Sequence, residues 1–213
     1  MNSPNPLSDL EKRTRRYWYV DGLVEMVTGL FLWVLAAFFA ITARLTSETA
    51  RAWVLGIGQP ALILLGIWLS GRVVVQLKER ITYPRTGYVA YRRPTRGRRI
   101  TRAITGLLAG GLVGFSMGLL FNLFPQDWTP AIASLFFSLL MAYLGWYFGV
   151  LRFYLLALFL LAGGLAVTFW VPFELASASM FFLFGLGMLV SGAVTLRSYL
   201  ASTRPVEAEN GSL

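Results

Sequence analysis

The sequence predicts an all-α, polytopic membrane protein with six transmembrane helices and a basic cytoplasmic loop between the second and third. Three observations carry this. Of 213 residues, 56% are hydrophobic and 14% charged, whereas a soluble domain carries about 25% charged residues. The charges divide the chain into six windows without Asp, Glu, Lys or Arg: 26–43, 52–71, 103–126, 128–151, 153–173 and 175–196. Each is long enough to cross a ~30 Å hydrocarbon core at about 1.5 Å per residue, the first if Glu25 sits at the boundary. Lastly, Lys and Arg alternate between connections, as they do when they collect on the cytoplasmic side.

Helices are expected because the windows are apolar throughout, whereas barrel strands alternate over about ten residues. In lipid a helix satisfies its own backbone. With both termini inside, 17 of the 19 basic residues are cytoplasmic and only Arg44 and Arg51 lie outside. The acidic residues divide as seven inside and three outside, so the inner face carries 17 − 7 = +10 and the outer face 2 − 3 = −1, which together make the net +9. Trp18, Trp53, Trp68, Trp128, Trp146 and Trp170 lie near predicted span ends, as an aromatic belt requires, while Trp33 is mid-span.

The first element is a polar N-terminal tail, 1–20, which includes Lys12, Arg13, Arg15 and Arg16 and leads into an uncleaved signal anchor. The membrane domain runs over 21–199, with spans at about 22–43, 52–71, 104–124, 130–150, 153–172 and 175–196; 200–213 is a cytoplasmic tail. At the mouth of the first span, Asp21 and Glu25 are four apart and share a helix face. Acids at a helix start complement the positive end of its dipole, with Arg15, Arg16 or the large inner loop as neutralising partners. The functional alternative is a proton or cation site, since ionisable groups near hydrocarbon are candidates by default.

In the second span Pro60 follows Gly56, Gly58 and Gln59 and removes a backbone donor, which should kink or loosen the helix beside a polar Gln59. The inner loop, 72–102, holds ten basic residues. Within it "ITYPRTGYVAY" places β-formers on both sides of Pro84-Arg85-Thr86-Gly87, which predicts a short hairpin. Tyr83, Tyr88 and Tyr91 would rest at headgroup level while Arg85, Arg92, Arg93, Arg96, Arg98 and Arg99 meet lipid phosphates, each basic group contributing about 1 kcal/mol near an anionic surface.

The third span has Gly106, Gly110, Gly114 and Gly118 at every fourth residue, a glycine zipper that lets another helix approach closely. Asn122 continues the stripe and needs a polar partner for its amide. Spans four and five are separated by Arg152 alone in "LGWYFGVLRFYLL", so their turn must be very tight, with a re-entrant hairpin as the alternative. "LAGGL" at 108–112 and 161–165 hints at a repeated helix pair.

Composition also excludes chemistry. There is no cysteine, hence no disulfide, thiolate metal site or thiol nucleophile, and no histidine, the usual haem or zinc ligand and the commonest general base. Gly-Phe-Ser-Met-Gly at 114–118 fits the nucleophile-elbow spacing, but Ser116 lies inside an apolar helix in a chain without a histidine to take its proton. Asp21-Gly22 resembles the start of the metal-binding motif of CDP-alcohol phosphatidyltransferases. The Ala-Arg pair and later aspartates of that motif are missing, so the resemblance carries no activity here.

The expectation is therefore a non-enzymatic membrane binding or scaffold protein in a bacterial cytoplasmic membrane, without metal or cofactor. Its partners would be the lipid bilayer, anionic lipid headgroups, a cytoplasmic protein or a second copy, and not nucleic acid, because the arginines fall where topology alone puts them. The alternative is a small transporter or channel-like protein lined by Asp21, Glu25, Gln59 and Asn122.

Overall fold

A computed structural model describes residues 19–86, Ser116, Gly118, Leu119 and 123–203. Among these residues every regular element is helical, and five helices are long and apolar enough to cross a membrane. They are α1 (Leu23–Ala43), α2 (Glu48–Arg85), α3 (Thr129–Phe148), α4 (Leu151–Trp170) and α5 (Phe173–Ser202). The protein is thus a membrane-embedded helical bundle. The predicted third span lies almost wholly outside the described residues, although Ser116, Gly118, Leu119 and Leu123 are helical.

Two helices are much longer than their charge-free windows. At about 1.5 Å per residue the 38 residues of α2 extend roughly 57 Å and the 30 of α5 roughly 45 Å, both longer than the hydrocarbon. Helical geometry continues through Arg72, Lys78, Glu79 and Arg80 into the predicted inner loop, then through a final turn at Tyr83–Thr86. This corrects one arm of the predicted hairpin, since Ile81 ends a helix and Tyr83 begins a helical turn. Pro84 fits there because the first turn of a helix has no use for its missing N–H. The other arm lies outside the described residues.

Near its start α2 is interrupted by a π-helical turn, Val54–Gly58, and the N–H of Gln59 reaches back to the carbonyl of Val54. Pro60, next along, has no N–H with which to continue the α-ladder, and the helix resumes from Gln59.

The tightest packing joins α1 and α5 in antiparallel array through glycines seven apart on each. A Cβ built on Gly29 would stand 2.8 Å from the carbonyl oxygen of Gly185, and one on Gly185 2.8 Å from that of Gly29. The same reciprocal clash recurs one heptad away between Gly22 and Gly192, where a Cβ on Gly192 would stand 2.7 Å from the Gly22 oxygen. A seven-residue repeat keeps one seam facing its partner along a shallow crossing, and small residues on that seam bring the backbones together where lipid supplies no hydrophobic drive. Trp33, the mid-span tryptophan, stacks on Phe182 with ring centroids 5.4 Å apart and donates its indole N–H to the Phe182 carbonyl at 3.1 Å.

The second close pair is the α3–α4 hairpin, whose turn is only Gly149 and Val150. Gly149 is left-handed (φ 66°), and the Val150 N–H closes the end of α3 onto the Gly145 carbonyl at 3.0 Å. Both helices are full-length, so the tight turn joins two spans. Across this hairpin Gly164 faces the buried Ser134 so closely that a Cβ would overlap the serine side chain. The core between the two pairs holds Val150, Phe153, Leu156 and Met188 at one level and Leu160, Met180 and Phe184 at the next, with Leu32 and Met141 touching both.

The helix α2 sits outside this four-helix unit. It packs on α1 where the Phe31 ring covers Gly66, and it leaves Leu64, Leu65, Ile67 and Trp68 exposed. At the start of α2, Arg51 donates to the carbonyls of Ala43 (3.0 Å) and Leu45 (3.2 Å), closing the C-terminal end of α1. At its far end Arg85 donates to the Thr203 carbonyl at 2.6 Å, just past the end of α5.

Candidate functional site

Among the described residues, Asp21 and Glu25 are the two most deeply placed acids, at 0% and 1% exposure. Asp21 precedes the left-handed Gly22 (φ 69°), a conformation that turns the chain into α1 and sets the carboxylate over the first helical turn. One oxygen, Oδ1, accepts the Leu23 N–H at 3.2 Å. The other, Oδ2, accepts Lys78 Nζ at 2.6 Å and Thr82 Oγ1 at 2.8 Å. Lys78 and Thr82 are four apart on α2 and so reach the same point from one face.

Glu25 lies one turn further in and turns to the other side of α1. Its Oε1 accepts Arg152 Nε at 2.8 Å and Nη2 at 2.5 Å, and its Oε2 accepts Ser191 Oγ at 2.7 Å. Arg152 Nη2 also donates to the Tyr19 carbonyl. The Tyr19 ring packs on Phe148 and Phe153, one on each side of the hairpin turn, with centroids 4.4 and 5.5 Å away. Burial pushes the Tyr19 phenol above its ordinary value, and the negative charge of Glu25 adds to the shift. The folded chain therefore keeps that phenol neutral; the linked stability is intact below pH ~10 and is lost as pH rises through the raised value.

Together these contacts make two adjacent ion-pair clusters at one end of the bundle, joining α1 to α2 and α1 to α4 and α5. Each buried acid meets one base, and each carboxylate oxygen has a donor. A buried charge is tolerable only when paired and hydrogen-bonded, and here both conditions hold. Thr82→Val, which keeps the shape but removes one donor to a buried carboxylate, is expected to lower stability by about 1.5–3 kcal/mol. Thermal unfolding in detergent micelles measures this, and an unchanged midpoint would show that the hydroxyl is dispensable.

The structure separates the other expected polar residues from this pair. Gln59 stands about 28 Å along α2 from Lys78, near the opposite end of the helix. Asn122 lies outside the described residues, as do Tyr88, Tyr91, Arg92, Arg93, Arg96, Arg98 and Arg99. Tyr83 is half-buried, and Arg85 makes the α5 contact described above. Of the glycine zipper only Gly118 is described, and a Cβ there meets no described atom within 4 Å; Gly106, Gly110 and Gly114 lie outside. Among the described residues no group of three or more His, Cys, Asp or Glu could hold a metal ion.

Sequence reasoning named the inner loop as a neutralising partner, and Lys78 of that loop does pair with Asp21, but it singled out neither Lys78 nor Arg152. Lys78 is one of ten basic residues in the predicted loop, and Arg152 reads as a marker of sidedness. The available signal was that Arg152 is the lone charge between two long spans, where a charge without a polar partner is expensive. Beside it a cavity of about 440 Å³ opens between α4 and α5, lined by Arg152, Ser191 and Thr195 at one end and by apolar side chains beyond.

Comparison of the chain with protein-family models, with curated proteins and with solved structures finds no match.

Proposed function

We propose that this chain is a non-enzymatic, six-span protein of a bacterial cytoplasmic membrane that presents a basic cytoplasmic face to anionic lipid headgroups. The observation that carries the reading is the internal pairing of Asp21 with Lys78 and Glu25 with Arg152. These acids are consumed as struts: Asp21 neutralises Lys78, one of the ten basic residues of 72–102, and the other nine, all arginines, face the single acid Glu79. Such a surplus beside a bilayer attracts anionic lipid at about 1 kcal/mol per basic group.

Support for a sixth crossing comes from the two ends of the gap in the described chain. Arg85 reaches the C-terminal end of α5, while Trp128, at the start of α3, meets Phe169 at the C-terminal end of α4, with ring centroids 6.0 Å apart. Those are opposite ends of the bundle, and 104–124 is the apolar stretch available to connect them. Lys78, Arg80, Arg85, Arg152 and Arg197 at one end against Arg44 and Arg51 at the other support a cytoplasmic placement of the first set. A polar transport lining is the weaker reading, because the oxygens of Asp21 and Glu25 are already occupied and Gln59 is remote.

The absence of native cysteine allows a direct test with Arg96→Cys in nanodiscs. Thiol labelling is expected to slow about tenfold in phosphatidylglycerol relative to phosphatidylcholine, and to recover at ~1 M salt, where the Debye length is about 3 Å. Equal rates in both lipids would refute the headgroup contact. Slowing that needs an added soluble protein rather than anionic lipid would reassign the face to a protein partner.

A further inference from the structure

We infer that the α4–α5 groove is a seat for one acyl chain of an anionic phospholipid, with the headgroup phosphate held by Arg152. This deepens the lipid-contact reading by naming a site whose residues are separate from the loop arginines.

The groove is built by spacing. Arg152, Leu155 and Phe159 recur at three and four residues on one face of α4, and Val190 and Val194 are four apart on α5. From Arg152 to Phe159 the wall runs about 10 Å along the helix axis, charged at its head and apolar below. That polarity parallels a lipid molecule, with phosphate at the boundary and hydrocarbon inward. The volume, about 440 Å³, falls in the range of roughly 300–1,000 Å³ found for ligand pockets. Leu155, Val190 and Val194 are exposed, so a chain enters sideways from the bilayer.

Charge selects the class of lipid. The groove lining includes Arg152 and no acidic residue. Glu25 holds the guanidinium by Nε and Nη2 from behind and is itself sealed off at 1% exposure, whereas the Arg152 side chain is 26% exposed. Nη1 has no acceptor among the described residues. A guanidinium fixed on one edge and open on another is pre-organised for a phosphate oxygen; the hydroxyls of Ser191 and Thr195 border the same end but give their protons to Glu25 Oε2 and the Ser191 carbonyl, so the phosphate contact belongs to Arg152 alone. A zwitterionic lipid would bring its own cation to the same position, so phosphatidylglycerol is favoured over phosphatidylcholine.

The test is native mass spectrometry of the full chain, released from detergent after incubation with phosphatidylglycerol and phosphatidylcholine of identical acyl chains. One phosphatidylglycerol per chain is expected, retained about tenfold over phosphatidylcholine. Val190→Trp and Val194→Trp fill the groove without touching the ion pair and should erase the preference. Glutamine at Arg92, Arg93, Arg98 and Arg99 should leave it intact, and the same four changes placed beside Arg96→Cys should abolish the lipid-dependent loop labelling, so the two readings fail separately.

A second measurement stands if either tryptophan variant misfolds. Val194→Cys carrying a benzophenone photo-crosslinker should capture phosphatidylglycerol in preference to phosphatidylcholine in mixed vesicles. Equal retention or equal crosslinking of the two lipids, inorganic phosphate displacing the bound lipid, or crosslinking chiefly to a second copy of the chain would each overturn the proposal.

Discussion

Arg152→Ala is expected to destabilise the bundle by about 3–5 kcal/mol, the cost of leaving one member of a buried pair alone, and to lower the unfolding midpoint by on the order of 10 °C for a chain of this size. Glu25 would remain at 1% exposure with only Ser191 as a donor. The reverse change, Glu25→Ala, should cost less. The stranded Arg152 is 26% exposed, and its long side chain can swing its charge towards water. Removing both charges, with Glu25→Met and Arg152→Met together, should recover most of the loss, because a buried pair replaced by apolar side chains of similar size is often close to neutral. Thermal scans in one detergent compare all three variants. An Arg152→Ala midpoint within about 1 °C of the parent would mean that the pair does not hold α1 to α4.

The second large effect belongs to the glycine seam between α1 and α5. Gly22→Ala meets two penalties: a left-handed backbone (φ 69°) that costs an L-residue about 1–2 kcal/mol, and a Cβ driven into the Gly192 carbonyl. Backbone atoms cannot rotate aside as a flexible side chain can, so overpacking adds about 1–3 kcal/mol. Gly192→Ala has only the steric part, with the Gly22 oxygen 2.7 Å from its Cβ, and should cost less than Gly22→Ala. Gly56→Ala and Gly71→Ala are the controls, since a Cβ at either meets nothing within 4 Å; both should match or slightly exceed the parent stability. Loss of stability equal at all four positions would show that the seam is not special.

The five described spans were legible because the property that defines them, a run without charge, is local. Their ends were less so. Windows 52–71 and 175–196 grew into Glu48–Arg85 and Phe173–Ser202 because charged side chains are good helix formers once outside the hydrocarbon, and nothing in a charge count marks where a helix stops. The hairpin expected around Pro84 rested on turn chemistry that serves equally well for the first turn of a helix. Asp21 and Glu25 were visible as acids that need neutralising, but Lys78 and Arg152 lie 57 and 127 residues away, and no local pattern assigns such partners. The seam of Gly22, Gly29, Gly185 and Gly192 escaped for a related reason. Each helix contributes two glycines seven apart, and the pattern is complete only when both helices are seen side by side.

The distance in sequence between Glu25 and Arg152 bears on biogenesis. Synthesis delivers the acid 127 residues ahead of the base, so the opening helix enters the insertion machinery with its counter-ion still unmade. Until the α3–α4 hairpin emerges, α1 is expected to settle shallowly, because an unpaired Glu25 is costly in hydrocarbon. Its final depth is then set late, by the arrival of one guanidinium, and a nascent chain truncated before residue 152 should leave its first helix riding higher in the bilayer than the finished protein does.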